Sequence, residues 1–156
     1  MRLLSLAIGR LECLSLALPL VVVVGPYASN QLIYTGGDVS VLSFQPTVPS
    51  YQAGQFSLDA SNYLMSGSKY VALYPANNGV YTVTPSSLSA ISMLHIVCTP
   101  PVVAGTALSC APVGLPTYQW YVNPSFVTNN PPYMYAPSTA PGYVVGFDIF
   151  PEAITS

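Results

Sequence analysis

His95, the cysteines Cys98 and Cys110, and the carboxylates Asp38, Asp59, Asp148 and Glu152 are the side chains beyond residue 28 best suited to chemistry. His95 is the chain's single histidine, hence its one side chain that titrates near neutrality without help, and the obvious general base. It stands in residues 93–99 (MLHIVCT), an apolar β-type run. Alternation there puts Leu94, Ile96 and Cys98 on one face and Met93, His95, Val97 and Thr99 on the other. Cys98 therefore faces away from His95, so the run builds no cysteine–histidine dyad. No G-x-S-x-G elbow occurs to supply a serine nucleophile. A half-exposed strand histidine is the plainer reading.

Cys98 and Cys110 flank a proline- and glycine-punctuated segment, 100–105 (PPVVAG), between two β-type runs, 93–99 and 106–110. They are expected to close it as a disulfide. No Cys-x-x-Cys is present for redox work, and cysteine and histidine are too few for a closed zinc site, so neither metal nor cofactor is expected.

A glycosidase needs two carboxyl groups about 5–9.5 Å apart across a cleft. Asp38 lies in a turn (GGD), Asp59 borders a loop (LDASN) and Glu152 belongs to the tail. Asp148 sits between Phe147 and Ile149, and alternation places it on the outer face as a solvated aspartate. A secreted hydrolase, of glycosidase or esterase type, would have to use Asp148 or His95. The acidic residues lack the spacing of a calcium loop.

Aromatic residues are the stronger candidates for contact. Tyr118 and Trp120 fall on a β-type run (TYQWYV, 117–122), and Tyr133 and Tyr135 fall in a segment with five prolines, 123–142, read as a stiff loop. Flat rings beside amides can stack on sugar or peptide, and a stiffened loop loses little entropy on binding. For Trp120 the competing role is core packing against the disulfide. A tryptophan beside a cysteine pair invites comparison with immunoglobulin domains. That pattern needs the tryptophan between the cysteines and a tyrosine two before the second. Here Trp120 follows both and Leu108 holds the tyrosine's place, so the pattern is not met.

The elements that must position these residues are short. Runs at 31–35, 39–44, 69–74, 80–84, 93–99, 106–110, 117–122 and 143–150 alternate with turn residues. Residues 55–58 and 63–65 give weaker runs, and 85–92 (PSSLSAIS) is a single helical turn at most, with Ser86 or Ser87 as its cap. No repeat or sustained helical period is present. The fold expected is all-β: an antiparallel sandwich or small barrel of about eight short strands with one disulfide.

Charge and export complete the reading. Only 5% of residues are charged although 51% are apolar, against a usual charged share of about 25%. Residues 13–24 (CLSLALPLVVVV) form an uncharged run preceded by Arg2 and Arg10. Twelve helical residues span about 18 Å, too short for a membrane but the length of a signal's apolar centre. Residues 1–28 are therefore read as a signal peptide and 29–156 as one secreted β-domain, free of the membrane once the signal is cleaved. Removal of Cys13 with the signal leaves an even number of cysteines.

Beyond residue 28, Lys69 is the only strong base, so phosphate neutralisation and nucleic-acid binding are excluded. The function expected is a non-enzymatic extracellular or cell-surface domain for adhesion, or for contact with cell-wall or matrix polysaccharide or a surface protein. Self-assembly through weakly charged strand edges such as 143–150 is a further possibility.

Overall fold

The computed structural model describes residues 18–23, 30–34, 39–45, 55–100, 105–125 and 132–151. The strands are β1 (Leu18–Val23), β2 (Asn30–Tyr34), β3 (Val39–Gln45), β4 (Gln55–Leu58), β5 (Leu64–Ser66), β6 (Lys69–Tyr74) and β7 (Gly79–Val83). After a helix, α1 (Pro85–Ala90), come β8 (Leu94–Cys98), β9 (Cys110–Pro112), β10 (Gln119–Val122), β11 (Tyr133–Tyr135), β12 (Val145–Gly146) and β13 (Asp148–Pro151). Every pairing is antiparallel. The all-β expectation holds, with strands shorter and more numerous than the eight read from sequence.

The β6–β7 hairpin is the centre. Its turn follows from sequence: Asn78 takes a left-handed φ of 58°, and the Asn77 side-chain oxygen accepts the Gly79 N–H at 2.8 Å. Val71 and Leu73 of β6 enter the main core with Phe56, Leu64, Ile96, Val122, Met134 and Ile149. On the other face, Ala72 and Val83 are also buried, because α1 lies there and adds Leu88 and Met93. So the hairpin is covered on both faces, which simple alternation from one apolar side does not anticipate.

The helix forms differently from its sequence reading. Thr84, rather than Ser86 or Ser87, holds the N-cap position, Pro85 opens the helix, and no side chain caps it. Its end is a Schellman turn: Ser92 sits at φ 55°, its N–H bonds the Ser89 carbonyl, and the Met93 N–H bonds the Leu88 carbonyl. Leu88 and Met93 then pack together, so six residues suffice to seal one face of the hairpin.

Three further expectations are corrected. The run at 106–110 becomes a strand only from Cys110, as β9; before it, the Leu108 N–H bonds the Ile149 carbonyl instead of β8. The run at 143–150 is not one strand. It changes partner at Phe147, with β12 on β10 and β13 on β1, while the Phe147 N–H bonds the Trp120 carbonyl at 3.1 Å. The proposed continuous edge at 143–150 is therefore broken into short pieces, and Asp148 is exposed on its outer side as expected.

The third correction concerns Tyr133 and Tyr135, which lie on strand β11 rather than in a loop. The prolines flank Tyr133–Tyr135 without interrupting it, so all three residues keep their N–H groups and β11 pairs with β10. A short 3-10 turn, Pro137–Thr139, follows.

The turn at 36–38 with Asp38, the tail with Glu152, and both flanks of the apolar run at 13–24 lie outside the described residues. Within that run, Leu18–Val23 is strand β1. Among the described residues no helix is long and apolar enough to cross a membrane.

Candidate functional site

Cys98 and Cys110 form the expected disulfide, between directly opposed residues of β8 and β9 with Cα atoms 4.0 Å apart. The neighbouring Thr99 N–H bonds the Ser109 carbonyl at 2.8 Å, so the cysteines occupy the close, non-hydrogen-bonded position of the ladder. This ribbon forms one wall of a half-open cleft of about 1220 Å³. The start of β10 and the β12–β13 junction supply the opposite wall, bringing Tyr118, Trp120, Phe147 and Asp148 to the same space.

Each side chain reaches the cleft for a local reason. The Tyr118 N–H bonds the Leu115 carbonyl, closing the turn that lifts the chain from β9 into β10. Trp120 is only 5% exposed and its ring lies 5.9 Å from that of Phe147, so it belongs to the core and to the cleft wall at once. Its indole N–H is buried without a hydrogen-bond partner, the one such side-chain atom among the described residues. An unpaired buried donor costs about 1–3 kcal/mol.

Sequence reasoning passed over Tyr63, which also lines the cleft. The LDASN loop carried the signal. Asp59 Oδ1 accepts the N–H groups of Ser61 (2.8 Å) and Tyr63 (2.9 Å), and Asn62 takes φ 65°. This side-chain-closed turn sets Ser61 and Tyr63 at the cleft's edge. Behind Tyr63 stands His95, stacked on its ring at 4.0 Å and 18°, with Tyr70 edge-on at 4.6 Å. Burial lowers the His95 pKa below its ordinary value, and the nearby Asp59 carboxylate partly opposes that shift.

The two catalytic candidates are thus separated. Asp148 lines the cleft, while His95 lies behind Tyr63 with tyrosine rings as neighbours. Asp59 is committed to its turn, and among the described residues Asp148 is the only carboxylate in the cleft lining. The two-carboxylate arrangement of a glycosidase is not assembled among the described residues. Nor do those residues contain a group of three His, Cys, Asp or Glu side chains placed to hold a metal.

The four aromatic candidates fall into two sites. Trp120 alternates with Tyr121 along β10, so Tyr133 and Tyr135, which oppose Tyr121 and Gln119, lie on the other face of that ribbon. There Tyr135 meets Tyr121 edge-on at 5.8 Å and Tyr133 in a stacked pair at 6.1 Å. Burial raises the pKa of both tyrosines, with the Tyr81 and Tyr143 phenols adding to Tyr133 and the Tyr143 and Tyr133 phenols to Tyr135. Gly79 makes room for this face: a Cβ there would meet the Tyr81 ring at 2.9 Å.

Comparison with known proteins finds no matching family model, no matching curated protein and no matching solved structure.

Proposed function

We propose that this chain is a secreted, non-enzymatic β-domain that contacts cell-wall or matrix polysaccharide through the cleft walled by Tyr63, Tyr118 and Trp120. The observation that carries the reading is the grouping of Tyr63, Tyr118 and Trp120 in a cleft whose described lining holds a single charged side chain, Asp148. Rings provide the stacking surface, and Ser61 and Thr117 at the lining provide neutral donors and acceptors for hydroxyls. Asp148, the one carboxylate among the described lining residues, suits hydroxyl binding better than two-carboxylate hydrolysis. Export is supported by the apolar run near the start and is consistent with the disulfide.

The barrel form of the fold belongs to the same proposal. In a chain that keeps Leu18–Val23, pairings run in a circuit from β1 through β2, β3, β7, β6, β5 and β4 back to β1, which favours a small barrel over a sandwich; cleavage after Ala28 would open that circuit.

Retention on insoluble glycans tests the function. The intact chain should be retained on at least one wall or matrix polysaccharide, Tyr63→Ala and Tyr118→Ala should each weaken retention, and Tyr133→Ala/Tyr135→Ala should leave it unchanged. Retention lost only in the Tyr133/Tyr135 variant would move the site to the opposite face; no retention on any glycan rejects it. Asp148→Asn serves the hydrolase alternative, which requires glycoside or ester cleavage that this substitution abolishes.

A further inference from the structure

Geometry and sequence together fix the sign of the charge in the cleft. Among the described lining residues Asp148 is the only charged side chain, and it is exposed. Its place near Trp120 follows from local pairing. The Phe147 N–H bonds the Trp120 carbonyl at 3.1 Å, the two rings lie 5.9 Å apart, and Asp148 follows directly on the outer side of the chain. β13 is also held from the side of the disulfide ribbon, where the Gly105 and Leu108 N–H groups bond the Pro151 and Ile149 carbonyls at 3.0 and 2.8 Å. Those bonds involve no residue of Leu18–Val23, so they hold Asp148 in place whether or not that segment is retained.

Beyond residue 28 the only lysine or arginine is Lys69, at the start of β6, and it is not a lining residue. The charged side chains there that lie outside the described residues, Asp38 and Glu152, are both acidic. That part of the chain can therefore add negative charge to the cleft, but no guanidinium or ammonium group.

We propose that the glycan taken by this cleft bears free amines: a polysaccharide of amino sugars whose protonated nitrogens meet Asp148. The inference rests on the glycan-contact reading and narrows it to one ligand class. A carboxylate in an aromatic-walled cleft favours an ammonium in two ways, through a charge-assisted hydrogen bond and through the negative faces of the rings. It repels uronate and sulfate groups. So does the chain beyond residue 28 as a whole, where Lys69 stands against Asp38, Asp59, Asp148 and Glu152. An N-acetylated sugar is neutral; it can stack on the rings but gains nothing from the charge.

The test titrates the intact chain with glucosamine oligomers, their N-acetylated counterparts and oligogalacturonates of equal length, all in one mildly acidic buffer. Glucosamine oligomers should bind about threefold to fivefold more tightly than the N-acetylated ones, within what an exposed ion pair supplies, and oligogalacturonates should bind most weakly. Added salt should shrink the preference. Asp148→Asn should bring the first two affinities together, whereas Asp38→Asn, which changes the net charge equally, should leave the preference in place. Equal binding of the first two ligands would overturn the amine assignment and leave glycan contact standing. A preference that survives Asp148→Asn, or falls equally in Asp38→Asn, would overturn the role of Asp148. Failure to bind glucosamine oligomers would also overturn the inference, and only failure on every wall and matrix glycan would take glycan contact with it.

Discussion

At His95 a single imidazole is stacked on one tyrosine and edge-on to another, and burial holds its pKa below 6.5 despite Asp59. The sign of the consequence is fixed. In the interval just below 6.5 the unfolded chain binds this proton more readily than the native chain, so His95 favours folding as pH rises and levels off above that interval. Denaturant midpoints measured across that interval should fall on acidification, and His95→Phe, which keeps a ring in the stack, should flatten this part of the slope. A slope identical in the two proteins would show that the imidazole is not buried as described. Alternation along 93–99 made the half-exposed setting of His95 legible in the sequence. Its stack on Tyr63 was not, because β5 and β8 are far apart in the chain and Tyr63 reaches Val97 only through an isolated bridge.

At the level of elements, short segments have more influence than their length suggests. Six residues are too few to show a helical period, so α1 was legible only as a possible turn. Its contribution comes from the Schellman end that brings Leu88 and Met93 over the hairpin. Ser92 holds a left-handed φ of 55° that glycine adopts without penalty. Ser92→Gly should therefore stabilise the fold by about 1 kcal/mol, read as a higher denaturant midpoint; a loss of stability would mean that the turn is not formed. Strand β11 was hidden for a different reason. Proline density marked 123–142 as loop, whereas what matters is where the prolines fall, and Tyr133–Tyr135 has none. The same placement divides the aromatic candidates between two faces, since pairing with β10 fixes which way each ring points.

For the whole molecule, composition and the cysteine pair made the all-β class and the disulfide legible, while the cleft depends on contacts between distant segments that no local pattern encodes. Leu18–Val23 stands in two proposals, as the centre of an export signal and as β1, the strand that completes the circuit and pairs with β13. Cleavage after Ala28 would remove it. Intact-mass measurement on secreted protein should find a chain starting near Ser29 with Cys98 and Cys110 oxidised. A secreted chain that retains 1–28 would assign the segment to the sheet, and free thiols at both cysteines would contradict export.

Because Trp120 is the chain's only tryptophan and stands in the cleft wall, its fluorescence reports on the site without a label. The decisive measurement is a titration of that emission with soluble oligosaccharides from wall and matrix polysaccharides. Cleft binding predicts a saturable change with at least one of them, and an affinity about tenfold weaker in Tyr118→Ala, equivalent to about 1.4 kcal/mol. Emission that stays constant across every sugar, or changes equally in Tyr118→Ala, would contradict it.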